Sequence, residues 1–262
     1  AVSDENGHGT AVAGVVGALT NNDFRVAGLN WDVELLNLRV LDAQNRGTVF
    51  DGAKALETTA KLGADVASLA WGGKCPSTAL WNVIWYAKAK DVLVVAAAGN
   101  EHLDLCLRPE FFPASFRHSR YRCVKKECLH NLLVVGATDL TRDAPGSRRD
   151  KRASFSNNSP GIVQLGAPGE GITTTGLNTK EGGILDATGT SMATALVAGA
   201  AALVACALPE NGPDPRFQRI LDRLLEGADR VCELKGYFKE GRRLNVVHAA
   251  QGTRPDSPDC SN

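Results

Sequence analysis

Four runs of strand length, residues 34–40, 65–70, 92–97 and 132–137, are too uniformly apolar to belong to a sheet with one face in water. Such strands must be covered on both sides. Between them, residues 48–61 and 78–90 space their apolar side chains at the helical period, each after a turn-former such as Asn45 or Pro76. The alternation predicts the α/β class: a mainly parallel central sheet flanked by helices, with the four runs as interior strands.

Beyond Ser154, Gly- and Pro-rich segments interrupt short strands before a long small-residue helix that begins near Ser191. Helices near 215–226 and 245–250 close the domain. A length of 262 residues is within reach of one core, so residues 1–251 read as one domain and 252–262, rich in Pro, Asp and Ser, as a tail or linker. The apolar stretch 192–208 falls short of the ~20 residues that a membrane span needs and reads as a buried core helix. Because 29 Lys and Arg balance 29 Asp and Glu, no overall field favours nucleic acid or an anionic membrane. The basic run 117–126, with Tyr121 inside it, accompanies no nucleic-acid motif and reads as a solvated loop. Seven cysteines are many for a reducing cytosol and favour a secreted or extracytoplasmic protein. Cys123 and Cys128 bracket a short charged loop that a disulfide would staple; Cys75 with Cys106 and Cys206 with Cys232 are further candidate pairs. No His/Cys set has zinc spacing, and no metal site is expected from it.

Three short strings carry chemistry. Gly189-Thr190-Ser191-Met192-Ala193 opens a helix, where a serine hydroxyl has free backbone N–H groups and a favourable dipole beside it. Asn6-Gly7-His8-Gly9-Thr10 opens another and offers an imidazole, the base a hydroxyl needs to become a nucleophile. Ala97-Ala98-Gly99-Asn100 ends a buried strand in a carboxamide, at the carboxyl edge of the sheet where ligand sites of α/β proteins lie. Taken singly, each has a plainer reading: a capping serine, a structural histidine, a Gly-Asn turn.

In this order the three strings resemble the subtilase family, the subtilisin-like serine endopeptidases, with a match from residue 6 to about residue 207. The resemblance implies a three-layer subtilisin-like fold and a polypeptide substrate. It implies Ser191 as nucleophile, His8 as general base and acid, and Asn100 with the Ser191 N–H as oxyanion donors. It aligns Ala70, Trp71, Gly72 and Gly73 with the strand that binds substrate backbone, and Gly47 with the opposite rim. Ala97, Ala98 and Gly99 align with a wall of the pocket for P1, the residue whose carbonyl is attacked, and 111–114 with its floor. Residues 152–157 and 165–169 match structural strands. No cofactor is implied for the chemistry.

The chain also departs from the pattern. The family's triad aspartate sits on a strand well ahead of the histidine, and Asp4 resembles instead the acidic residue just before the histidine motif. The acid is therefore expected from an upstream segment, with a propeptide as a further partner; the alternative is a degenerate subtilase-fold binding or scaffold protein. An α/β-hydrolase esterase is excluded because Ala193 stands where the nucleophile elbow needs glycine. Ala195 occupies a position usually proline, and Trp71 and Phe111 replace smaller residues, which suggests a narrowed or aromatic-lined pocket. Residues 21–26 resemble in length a calcium loop, but Arg25 stands where glycine is usual, and no functional calcium site is expected.

Overall fold

The computed structural model describes residues 3–23, 26–121, 123–124, 127–144, 147–177 and 183–255. Helix α1 (His8–Gly17) is followed by α2 (Val49–Lys61), β1 (Val66–Leu69), α3 (Thr78–Ala89) and β2 (Leu93–Ala97). The hairpin β3 (Cys123–Val124) and β4 (Glu127–Cys128) precedes β5 (Leu132–Ala144), β6 (Ser147–Arg152), β7 (Leu165–Pro168), β8 (Ile172–Thr175) and β9 (Ile184–Ala187). The chain continues through α4 (Thr190–Ala207), α5 (Arg216–Glu226), β10 (Asp229–Arg230), β11 (Arg242–Arg243) and α6 (Val246–Gln251).

The central sheet runs β1-β2-β5-β7-β11-β10, with β6 turned back antiparallel on β5. From β1 to β11 the pairs are parallel, and β10 joins antiparallel at the end. Side chains alternate along each strand, so both faces are apolar for a reason. Val94, Ala96, Leu132 and Val134 pack with Leu56, Leu80, Trp81 and Ile84 of α2 and α3. Leu93, Val95, Leu133 and Val135 pack with α4, α5 and α6 through Val197, Ala201, Phe217, Ile220 and Ala249. In α5 the apolar residues Phe217, Ile220, Leu221 and Leu224 fall on one helical face, which is the face buried here. Helix α4 is long and apolar enough to cross a membrane, yet Ala193, Val197, Ala200, Ala201 and Val204 bury it against the sheet. It is the core helix of the fold.

Three expectations are corrected. Residues 34–40 form no strand, and Leu35 and Leu36 are 36% and 46% exposed rather than interior. A strand needs a neighbour for its backbone hydrogen bonds, and the edge of β1 away from β2 has none among the described residues. A groove of about 1070 Å³ runs there, between β1 (with Ala70 and Trp71 beyond it) and residues 32–42, and reaches α1 at His8. Residues 153–157 are turns and loop, only Arg152 of that segment lying in β6, because Ala153 N–H bonds back to Ala137 and Ser156 N–H to Ala153. Finally, Cys75, Cys106 and Cys206 are free thiols, so the pairs proposed through them do not form. Cys128 and Cys232 are disulfide-bonded, and Cys123 faces Cys128 in register; the Cys123 side chain lies outside the described residues. Residues 256–262 of the expected tail also lie outside them, after α6 ends at Gly252 with φ 68°.

Candidate active site

Helix α1 starts where Gly7 takes φ 93°, a left-handed conformation that favours glycine. Its free N–H groups are met by Asp4. One carboxylate oxygen accepts from Asn6 N–H (3.0 Å) and Gly7 N–H (2.8 Å), and the other from the N–H and hydroxyl of Thr10 (2.8 Å each). Burial works against the charge, but the Gly7 and Thr10 bonds outweigh it and draw the carboxyl down to about 2. Both oxygens of Asp4 are thus committed to the helix terminus, and neither bonds the His8 ring. Among the described residues that half-buried ring has no hydrogen-bond partner. Burial holds its basicity below the ordinary value, with the Asp4 charge opposing in part.

Ser191 is the second residue of α4. The two helices meet through Ala11, Val15 and Val16 of α1 and Met192 and Ala195 of α4, all within about two turns after His8 and Ser191, so the two first turns share one end of the molecule. Ala195, in the place of the expected proline, is wholly buried in this contact. The Ser191 hydroxyl donates to the Ala70 carbonyl at 2.9 Å, just past the end of β1.

Asn100, exposed past the end of β2, is held by its carboxamide oxygen. Thr190 donates to Oδ1 twice, from its N–H and from its hydroxyl, both at 2.9 Å. The same hydroxyl accepts the Gly99 N–H at 3.2 Å. With its oxygen so occupied, Asn100 turns Nδ2 toward Gly189. A Cβ on Gly189 would stand 3.4 Å from that Nδ2 and 3.7 Å from the Ser191 nitrogen, so two donors border one small space beside Gly189. Such a space suits an oxyanion. Sequence reasoning named the serine and the asparagine but passed over Thr190, which joins them; its position inside Gly-Thr-Ser was the available signal.

The segments aligned with substrate binding lie around this point. Beyond β1, Ala70 is buried, Trp71 half-buried, and Gly72 and Gly73 exposed. Trp71 lays its six-membered ring on α2, where a Cβ on Gly52 would come within 2.4 Å of Cη2. Ala97, Ala98 and Gly99 are buried behind Asn100, and Gly47 is exposed on a loop before α2. Asn157, which the family resemblance placed in a structural strand, fastens the loop after β2. It accepts from the N–H of Glu101 (3.1 Å) and Leu103 (2.7 Å), and donates to Ala98 O (2.9 Å) and to the Glu101 carboxylate (2.6 Å). Of the residues compared with a calcium loop, Asn21, Asn22 and Asp23 are described and exposed, while Phe24 and Arg25 lie outside the described residues.

Comparison with known proteins gives a consistent picture. The profile of the Subtilase family matches residues 1–225. "Thermophilic serine proteinase" of Bacillus sp. (strain AK1) is 36% identical over 246 residues, covering 94% of this chain and 52% of the relative. Thermitase of Thermoactinomyces vulgaris is 34% identical over 246 residues, covering 94% of this chain and 75% of the relative. The crystal structure of a cold adapted subtilisin-like serine proteinase superimposes with TM-score 0.70 at 30% identity, over 93% of this chain and 76% of that one. The chain spans about half the length of the first of these relatives.

Proposed function

The chain belongs to the subtilase family, and from that premise we propose that it is a serine endopeptidase whose nucleophile is Ser191. The reading rests on one observation above the others: Thr190 holds the Asn100 carboxamide by its oxygen and leaves the amide nitrogen beside the Ser191 N–H. A turn or a helix cap needs no such arrangement. For attack, the Ser191 hydroxyl exchanges the Ala70 carbonyl for His8, which burial keeps in the neutral form that accepts a proton at neutral pH. The oxyanion of the tetrahedral intermediate then takes the Asn100 and Ser191 donors, and His8 returns the proton to the departing amine. The chemistry draws on side chains and backbone alone, without a cofactor.

The carboxylate that would fix the His8 tautomer is proposed to come from a strand seated in the groove beside β1, contributed by an upstream segment of the polypeptide. The free edge of β1 and the reach of the groove to His8 support this. The disulfide-bonded Cys128 and Cys232 support a location outside the reducing cytosol. A second reading, a subtilase-fold binding protein without turnover, is favoured by the His8 ring having no carboxylate partner among the described residues. The two are separated by exposing the chain to a peptidyl diphenyl phosphonate and mapping the adduct. Labelling of Ser191 that is lost in His8→Ala supports the endopeptidase; a folded polypeptide that includes the upstream segment and still leaves Ser191 unmodified supports the binding protein.

A further inference from the structure

The space beside the nucleophile into which a substrate side chain would point is already occupied. Two segments touch the first turn of α4: residues 70–73, through the Ala70 carbonyl that accepts from Ser191, and residues 97–99, through the Gly99 N–H that donates to Thr190. They continue the neighbouring strands β1 and β2, which pair as far as Leu69 with Ala96. Beyond that point the two segments part, and the crevice between them opens at the carboxyl ends of parallel strands, next to Ser191. Each segment carries a glycine facing the crevice.

The ring of Phe111 fills the room those glycines make. A Cβ on Gly72 would lie 2.4 Å from both Cε1 and Cζ of Phe111, and a Cβ on Gly99 would lie 2.9 Å from Cδ1. The Cδ1–Cε1–Cζ side of the ring therefore lies against both glycines, at distances that leave no layer between them. Its backbone has little freedom to withdraw. Phe112, the next residue, forms a two-way bridge with Gly73 on the wall itself, with N–H···O distances of 2.7 and 2.9 Å. Phe111 N–H donates to Ser115 Oγ at 3.2 Å, and Ser115 N–H returns a bond to the Phe111 carbonyl at 2.7 Å. On the Gly99 side the Glu101 carboxylate closes the same corner, tied to Asn157.

We propose that Phe111 closes the P1 pocket, so that the site takes peptides with glycine or alanine at P1 and excludes aromatic ones. The proposal rests on the endopeptidase reading only for the identity of the subsite, and its test is separable from turnover. An aromatic P1 side chain would have to displace a ring that the chain holds at two backbone points; a methyl group would not.

The test measures reversible binding of two product-like peptides, succinyl-Ala-Ala-Pro-Ala and succinyl-Ala-Ala-Pro-Phe with free carboxylates, by calorimetry on the 262-residue chain and on Phe111→Gly. Binding of this kind needs the cleft but not the nucleophile. The alanine peptide is expected to bind the parent chain about tenfold or more tighter than the phenylalanine peptide, the scale on which pockets discriminate by size. Phe111→Gly, checked for folding by circular dichroism, is expected to bring the phenylalanine peptide to parity or beyond. If the variant does not fold, the preference of the parent chain still decides. Equal or tighter binding of the phenylalanine peptide by the parent chain overturns the proposal, as does binding of neither. In parallel, diphenyl phosphonates of the same two sequences report on Ser191. An alanine preference in binding without any labelling, in a polypeptide that includes the upstream segment as well as in this chain, sinks the endopeptidase reading and leaves the closed pocket standing.

Discussion

Replacing Asp4 by alanine tests how α1 presents His8. The carboxylate is drawn from 3.8 to about 2 by its bonds to Gly7, Thr10 and Asn6. A depression of just under two units corresponds to about 2 kcal/mol of preference for the ionised form in the folded state. Asp4 is only half-buried, so solvent screening reduces this to about 1–2 kcal/mol, which is also the usual cost of losing an N-terminal cap. The sign follows from the direction of the shift. Because the folded pKa is the lower one, the stabilisation is complete above the unfolded pKa and is lost as pH falls from about 4 to about 2. Urea unfolding of parent and Asp4→Ala, followed by circular dichroism from pH 7 down to pH 3, should show a difference of about 1–2 kcal/mol that narrows at the acid end. Asp4→Asn, which keeps one acceptor oxygen, should fall between them. A difference that stays constant across this range, or is absent at pH 7, would refute the assignment of Asp4 to the helix terminus.

Asn100→Ala should slow acylation of Ser191 by a peptide ester about 100- to 1000-fold with little change in substrate binding, a magnitude that is subtilisin's own for its oxyanion asparagine. An equal loss in binding and rate would argue against the role. Thr190→Val keeps the N–H but deletes the hydroxyl that grips Asn100, and should cost about tenfold in the same rate, with Thr190→Ser restoring it. If serine fails to rescue, the hydroxyl is not the positioning group. The imidazole protons of His8 should titrate below its ordinary 6.5 by NMR, so that acylation falls with acid only below that pH; a midpoint above 6.5 contradicts burial as the dominant influence. Amides of residues 34–40 should exchange with deuterium far faster than those of 93–97, which lie in the middle of the sheet, and comparable protection would show that the segment is paired.

The strands in the middle of the sheet were legible because both of their faces are covered. Val92 to Ala97 has no polar residue to mark a wet side, and the structure buries every one of them. Helix termini were legible to within a residue or two where chemistry marks them, as with Ser77, whose hydroxyl accepts the Leu80 N–H at the start of α3. Asn100 could be named from the sequence, but the orientation of its carboxamide depends on Thr190, ninety positions away, and no local pattern records that bond. The same holds for Phe111. The family resemblance suggested a narrowed or aromatic-lined pocket, whereas occupation of the crevice depends on Gly72 and Gly99 both lacking a Cβ beside one ring. Disulfide pairs were the least readable feature, since thiol proximity is set by loops such as those carrying Cys75 and Cys106, which have no periodicity.

Residues 34–40 show where pattern and structure part for a physical reason. The run has the apolar content of an interior strand, yet apolar side chains alone do not make one; backbone N–H and C=O groups need a ladder on the neighbouring edge. The adjoining edge belongs to β1, and the groove separates the two. That groove touches His8 at one place and Ala70 at another, and Ala70 is the residue whose carbonyl holds the Ser191 hydroxyl. A strand paired to β1 would therefore act on three things together. It would supply the missing ladder to 34–40 and cover Leu35 and Leu36. It would fix the position of the Ala70 carbonyl, and bring a side chain within reach of the His8 ring. On the proposed reading, one strand in this groove would complete both the sheet and the catalytic apparatus, because the free edge of β1, the Ala70 carbonyl and His8 all border it.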